Sequence, residues 1–111
     1  MKSDRDIEDF ISNLQVEDLL NIKRFIIMTI LYVIERTTLT ELAKMCKMPL
    51  STLQDNLKRL QELGYVNVRR AITTRGVRTI VEITEKGKRR YFEVYQLLKT
   101  FLDKVHGSES R

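Results

Sequence analysis

Pro49 interrupts an otherwise helical pattern in the stretch TLTELAKMCKMPLSTLQDNLKRLQELGYV, Thr38 to Val66, and this constrains the fold more than any other feature. Proline lacks an N–H and disfavours helix in the residue before it, so Met48-Pro49-Leu50 cannot continue the helix on its N-terminal side. Each flanking segment carries the same start signal. Thr38 stands three residues before Glu41, and Ser51 three before Gln54. Both spacings fit a capping box, in which a hydroxyl takes a free backbone N–H and the later side chain reaches back. The pattern predicts helices over Leu39 to about Cys46 and over Ser51 to Leu63, with Gly64 closing the second. Two short helices across a tight turn make a helix-turn-helix.

Around this pair the periodicity predicts further elements. A first helix is expected over about Asp6 to Leu14, with Phe10, Ile11 and Leu14 on one face. Asp4, Asp6, Glu8 and Asp9 suit the positive end of its dipole. Gln15 to Asn21 either breaks that helix or forms a short turn. From Ile22 to about Arg36 the apolar residues Phe25, Ile26, Ile30, Val33 and Ile34 recur at helical spacing. Tyr65 to Arg70 and Val77 to Thr84 alternate as strands, with Val66, Val68, Val81 and Ile83 turned to the core. AITTRG between them, ending in Gly76, makes the hairpin loop. Glu85-Lys86-Gly87 opens a last helix to about Val105. The expected fold is mainly α with a small β-hairpin, in one domain over 1–111. It divides into an N-terminal helix (1–20), a core (21–84) and a C-terminal helix (85–106).

Composition bounds the function. With 42% apolar and 32% charged residues, the chain suits a globular domain. Phe25 to Ile34, the longest apolar run, is closed by Arg24 and Glu35 and is far short of the roughly 20 residues needed to span a bilayer. The acidic start MKSDRDIEDF offers no apolar signal core, so a cytoplasmic location without membrane contact is expected. One cysteine excludes an internal disulfide. Charge is segregated: residues 1–22 carry two basic and six acidic side chains, residues 64–90 eight basic and two acidic. Positive charge thus gathers just after the helix-turn-helix, where a surface meeting phosphates would need it.

The order of elements resembles winged-helix transcriptional regulators of the MarR and ArsR type. ELAKMCKMPLSTLQDNLKRLQELGYV and, beyond the hairpin, ITEKGKRR carry the resemblance, which spans about Asn21 to Arg90. It implies a dimeric DNA-binding repressor or activator. Two departures stand out. Lys47 occupies a turn position where such proteins often have glycine, and a left-handed lysine costs about 1 kcal/mol relative to glycine. The chain is also shorter than many MarR-type proteins, leaving less helix to line an effector cavity, so a small-molecule effector has no support.

Within the second helix of the pair, Leu53, Leu57 and Leu60 fall on one face, to be buried against Leu42, Cys46 and the preceding helix. The other side carries Ser51, Thr52, Gln54, Asp55, Lys58 and Arg59, the expected DNA-reading face. Recognition helices enter the major groove by their N-terminal end. Glutamine can pair with adenine, lysine with guanine acceptors, and aspartate with cytosine. Capping and base reading compete for Gln54. The hairpin offers Arg69, Arg70, Arg75 and Arg78 to backbone or minor groove, with Arg75 at the tip and Arg78 at the wing arginine position of the resembled family. Arg69 and Arg70, as neighbours, should point to opposite faces.

The last helix carries Tyr91, Val94, Tyr95, Leu98, Phe101, Leu102 and Val105 along a stripe, and with Phe10, Ile11 and Leu14 these are expected to build a two-fold dimer interface. Cys46 reads as a small buried hydrophobe. Neither a metal nor a cofactor is expected: His106 has no clustered partners, and no phosphate loop or Ser-His-Asp set is present, which argues against an enzyme. Two rivals to a sequence-specific regulator remain open. One is a sequence-tolerant chromatin or architectural protein, the other a winged helix used for protein contacts.

Overall fold

The structure is a computed structural model that describes residues 21–109, together with Glu8. Of the expected first helix only Glu8 is described, and Phe10, Ile11 and Leu14 lie outside the described residues.

Helix α1, Ile22–Ile34, starts where the Asn21 side chain accepts from the Lys23 and Arg24 N–H groups, at 2.9 and 3.3 Å. It buries Ile27, Met28 and Leu31. Ile26, Val33 and Ile34, which the periodicity placed on the marked stripe, stay exposed. This segment is apolar nearly all round, so spacing alone could not set which face turns inward. The helix ends at Ile34, two residues before the expected end at Arg36, and its cap Glu35 adopts φ 70°. The chain then runs as a strand the sequence reading missed, β1 at Arg36–Thr38, only three residues long and built on β-branched threonines.

Helix α2, Leu39–Cys46, is capped by Thr38, whose Oγ1 accepts from Glu41 N at 3.2 Å. Lys47 follows at φ 54°, ψ 45°, the left-handed conformation anticipated for it. The Met48 N–H reaches the Ala43 carbonyl at 3.3 Å, a helix ending normally made with glycine. Lys47→Gly should therefore raise stability by about 1 kcal/mol, or Tm by about 5 °C in thermal unfolding. An unchanged or lower Tm would show that the lysine makes compensating contacts.

Helix α3, Leu50–Glu62, begins one residue earlier than expected. Its N-cap is Pro49, with no side-chain cap hydrogen bond, so the Ser51–Gln54 capping box does not form. Proline's fixed φ, here −59°, places the extended turn of the chain at residue 49 and carries Ser51 into the first turn. Gln54 is left exposed and free of capping duty. Gly64, at φ +81°, ends the helix: its N–H donates to Gln61 and the Tyr65 N–H to Leu60, both through backbone carbonyls.

Strands β2, Val66–Thr73, and β3, Gly76–Ile83, form an antiparallel hairpin with register Val66↔Ile83 through Thr73↔Gly76. Ala71, Ile72 and Thr73, read as loop from the sequence, belong to the strand. The loop shrinks to Thr74-Arg75, held by Thr73 Oγ1, which accepts from Arg75 N at 3.2 Å and donates to the Gly76 carbonyl at 2.7 Å. β1 adds to the far edge of β3 to give the sheet order β1-β3-β2.

Helix α4, Glu85–Glu109, is pinned at its start. Thr84 Oγ1 accepts from Gly87 N at 3.0 Å and donates to the Gly64 carbonyl at 2.6 Å, joining the end of α3 to the beginning of α4. Tyr91 lies under α1: its ring is 5.3 Å from Phe25 and 4.8 Å from Tyr32, and its hydroxyl is 2.8 Å from Thr29 Oγ1. One core joins all these elements, with Ile27, Leu31, Leu42, Leu53, Leu60 and Val81 at its centre.

Candidate nucleic-acid interface

Helix α3 divides its surface sharply. Leu53, Leu57 and Leu60 are buried, whereas Ser51, Gln54, Asp55, Lys58 and Arg59 are exposed. Thr52 is half-buried at the flank, its carbonyl accepting from Asn56 Nδ2 at 2.9 Å. Lys58 makes no ion pair with any described residue. Arg59 is 3.8 Å from Glu62, a pair too exposed to hold it firmly. This face is polar, solvated and close to the helix N-terminus, where backbone N–H groups favour anions.

The hairpin supplies the cationic side. Cross-strand partners share a face, so the register assigns each arginine. Arg69 lies opposite Ile80 and Arg78 opposite Ala71, making the two arginines diagonal neighbours on the outer face. Arg70, opposite Thr79, shares the inner face with Val66, Val68, Val81 and Ile83. As expected, Arg69 and Arg70 point apart, and both are exposed. Arg75 sits exposed in the two-residue tip beside Gly76, whose φ of +98° suits glycine. Arg78 Nη1 donates to the Val77 carbonyl at 3.1 Å. From Val66 to Ile83 the only acidic residue is Glu82, at the base of the hairpin. A shallow cleft lined by Thr38, Leu39, Thr40, Val77, Arg78 and Thr79 lies where β3 runs past the end of β1.

Three of the cations opening α4 contact their own chain. Lys86 Nζ stands 5.7 Å from the Tyr65 ring centroid. Lys88 Nζ bridges Glu35 at 3.0 Å and Glu85 at 3.4 Å, and the Glu35 hydrogen bond chiefly pushes its pKa up. Arg90 pairs with Glu93 at 3.6 Å.

The α4 stripe separates into two faces. Tyr91 and Val94 are buried in their own chain, and Leu98 packs on that core, so Tyr91 and Val94 are not open to a second protomer as expected. Packing of Phe25 and Tyr32 onto Tyr91 draws this side of the helix inward. Phe101 is half-buried, while Tyr95, Leu102 and Val105 remain exposed, joined by Phe92, which the sequence reading left out. Burial pushes the Cys46 thiol pKa up, away from the reactive thiolate. Among the described residues no group of three or more His, Cys, Asp or Glu could hold a metal, and no helix is long and apolar enough to cross a membrane.

Comparison with known proteins agrees with this geometry. A family model described as winged helix DNA-binding domain matches residues 23–102. An uncharacterized protein of Methanocaldococcus jannaschii is 30% identical over 83 residues, covering 71% of this chain and 90% of its own. A transcriptional regulator homologue from Pyrococcus horikoshii superposes with a TM-score of 0.81 at 23% identity, covering 87% of this chain and 97% of its own. A mutant of MarR from E. coli in complex with operator DNA gives a TM-score of 0.68 at 25% identity, over 94% of this chain and 71% of its own. MarR-family transcriptional regulators thus recur among the structural neighbours.

Proposed function

The chain belongs to the winged helix DNA-binding domain family, and from that premise we propose that it is a sequence-specific transcriptional regulator acting on double-stranded DNA as a homodimer. One observation carries this reading. Helix α3 turns three leucines into the core and offers Gln54, Asp55 and Lys58 to solvent beside a hairpin with four exposed arginines. In this reading Ser51, Thr52, Gln54, Asp55, Lys58 and Arg59 enter the major groove, and Arg69, Arg70, Arg75 and Arg78 hold the backbone or minor groove. Release of Gln54 from capping frees its amide to pair with adenine. A similar protein, a mutant of E. coli MarR, is complexed with operator DNA, which supports DNA as the partner.

The whole of residues 1–111 then serves as one domain: core 21–84, and 85–106 as the dimerisation helix. Phe92, Tyr95, Leu102 and Val105 form its apolar contact, with Phe10, Ile11 and Leu14 from the N-terminal segment completing it. Two-fold symmetry would place the recognition helices in successive major grooves, about 10 base pairs apart. Leu102→Glu puts a charge on this contact without touching the core, and should sediment as a monomer at concentrations where the parent is a dimer. An unchanged dimer would assign the interface elsewhere. DNA binding itself is tested by titrating a duplex across salt concentrations. The logarithm of affinity should fall linearly with that of salt. Absence of any salt-dependent shift would favour a winged helix used for protein contacts.

A further inference from the structure

The wing carries an apolar rung that the described residues leave uncovered. Ile72 is 90% exposed and Val77, its cross-strand partner, 51%. Both lie on the inner face of the hairpin, in line with the rungs Val66↔Ile83 and Val68↔Val81 that pack on the core. Between core and rung stands Arg70↔Thr79, and beyond it only Thr73↔Gly76 and the Arg75 tip. At about 3.3 Å per residue, Ile72 projects about 13 Å beyond Val68. An isoleucine so placed has nothing to gain from folding, because burial is what makes its side chain stabilising.

Resting on the DNA-binding reading above, we propose that the Ile72–Val77 rung is an apolar wedge that seats in the minor groove at a flexible base step and bends the duplex. Charge complementarity selects this occupant. Arg70 on the same face and Arg75 at the tip flank the rung, and no carboxylate stands on the hairpin beyond Glu82. Such a setting suits a polyanion and repels a basic partner. Two stiff β-branched side chains lose little rotamer freedom on insertion, and apolar wedges of this kind unstack steps that deform easily. Part of the sequence preference would then come from the stiffness of a step that no side chain reads by hydrogen bonding, with pyrimidine–purine steps favoured over A-tracts.

Energy transfer between dyes on the two ends of a duplex of about 30 base pairs measures the bend directly, with one duplex carrying a central TA step and the other an A-tract. The parent protein should bend the TA duplex more. Ile72→Ser, at a fully solvated position, should keep the fold and the salt slope, lose the bend, and bind the TA duplex about tenfold more weakly. Ile72→Leu should restore both. A bend unchanged in Ile72→Ser overturns the wedge, as does a parent that binds without bending. A change in oligomeric mass in Ile72→Ser also overturns it and assigns the rung to a protein contact. Failure of the parent to shift either duplex would instead overturn the DNA-binding reading itself.

Discussion

Gly87→Ala should lower the melting temperature by about 10–20 °C, corresponding to a loss of about 2–3 kcal/mol. The sign is opposite to the ordinary expectation, since replacing a glycine inside a helix by alanine normally gains up to about 1 kcal/mol. Here a Cβ would overlap the Tyr65 carbonyl oxygen and stand 3.0 Å from Ile83 Cγ1. Neither neighbour can give way freely. The Tyr65 carbonyl accepts from Thr84 N at 3.0 Å, and Ile83 is buried in the core. Relief would require α4 to lift from the base of the wing, breaking the Thr84 link to Gly64. Gly107→Ala is the internal control, because a Cβ built there meets no described atom within 4 Å and the substitution should be neutral or stabilising. Thermal unfolding followed by circular dichroism compares the two. Equal melting temperatures would mean that the close approach at Gly87 is not a constraint.

The second large effect concerns binding. Replacing Arg69, Arg70, Arg75 and Arg78 together by alanine should reduce duplex affinity by on the order of 10³ at moderate salt, and flatten the salt slope by about 3.6 per protomer if each meets one phosphate. All four side chains are exposed and none forms an ion pair with a described residue, so the fold should survive. Loss should be alike for all sequences, because phosphates carry no base information. An unchanged slope in a folded variant would remove the wing from the contact surface.

Much of this architecture was legible in the residues. Pro49, the Thr38 cap, Gly64 and the leucines of α3 fix the helix-turn-helix by local chemistry. Valine alternation likewise revealed the hairpin. Other features depended on tertiary choice. The buried face of α1 was ambiguous because Ile22 to Ile34 is apolar on every side. β1 is too short to announce itself and exists because β3 offers it an edge. Ser51 satisfied the capping pattern, yet Pro49 had already set the helix start one residue earlier. On α4 the periodicity found the apolar stripe but not the split within it. Contacts with Phe25, Thr29 and Tyr32 hold Tyr91 inward while Phe92 remains exposed. On the α3 side the exposed set matched the spacing closely, because a rigid helix with three leucines inward leaves its other positions little freedom.

Base reading by the solvent face of α3 underlies the proposed function. Its most direct test compares the affinity of the parent and of Lys58→Ala for a duplex recovered by selection from genomic DNA and for a scrambled duplex, at one salt concentration. The parent should prefer the selected duplex by about 10³ or more, and Lys58→Ala should lose about tenfold or more of that preference while still binding both. Equal affinity of the parent for both duplexes, or an identical preference in the Lys58→Ala protein, would contradict the account.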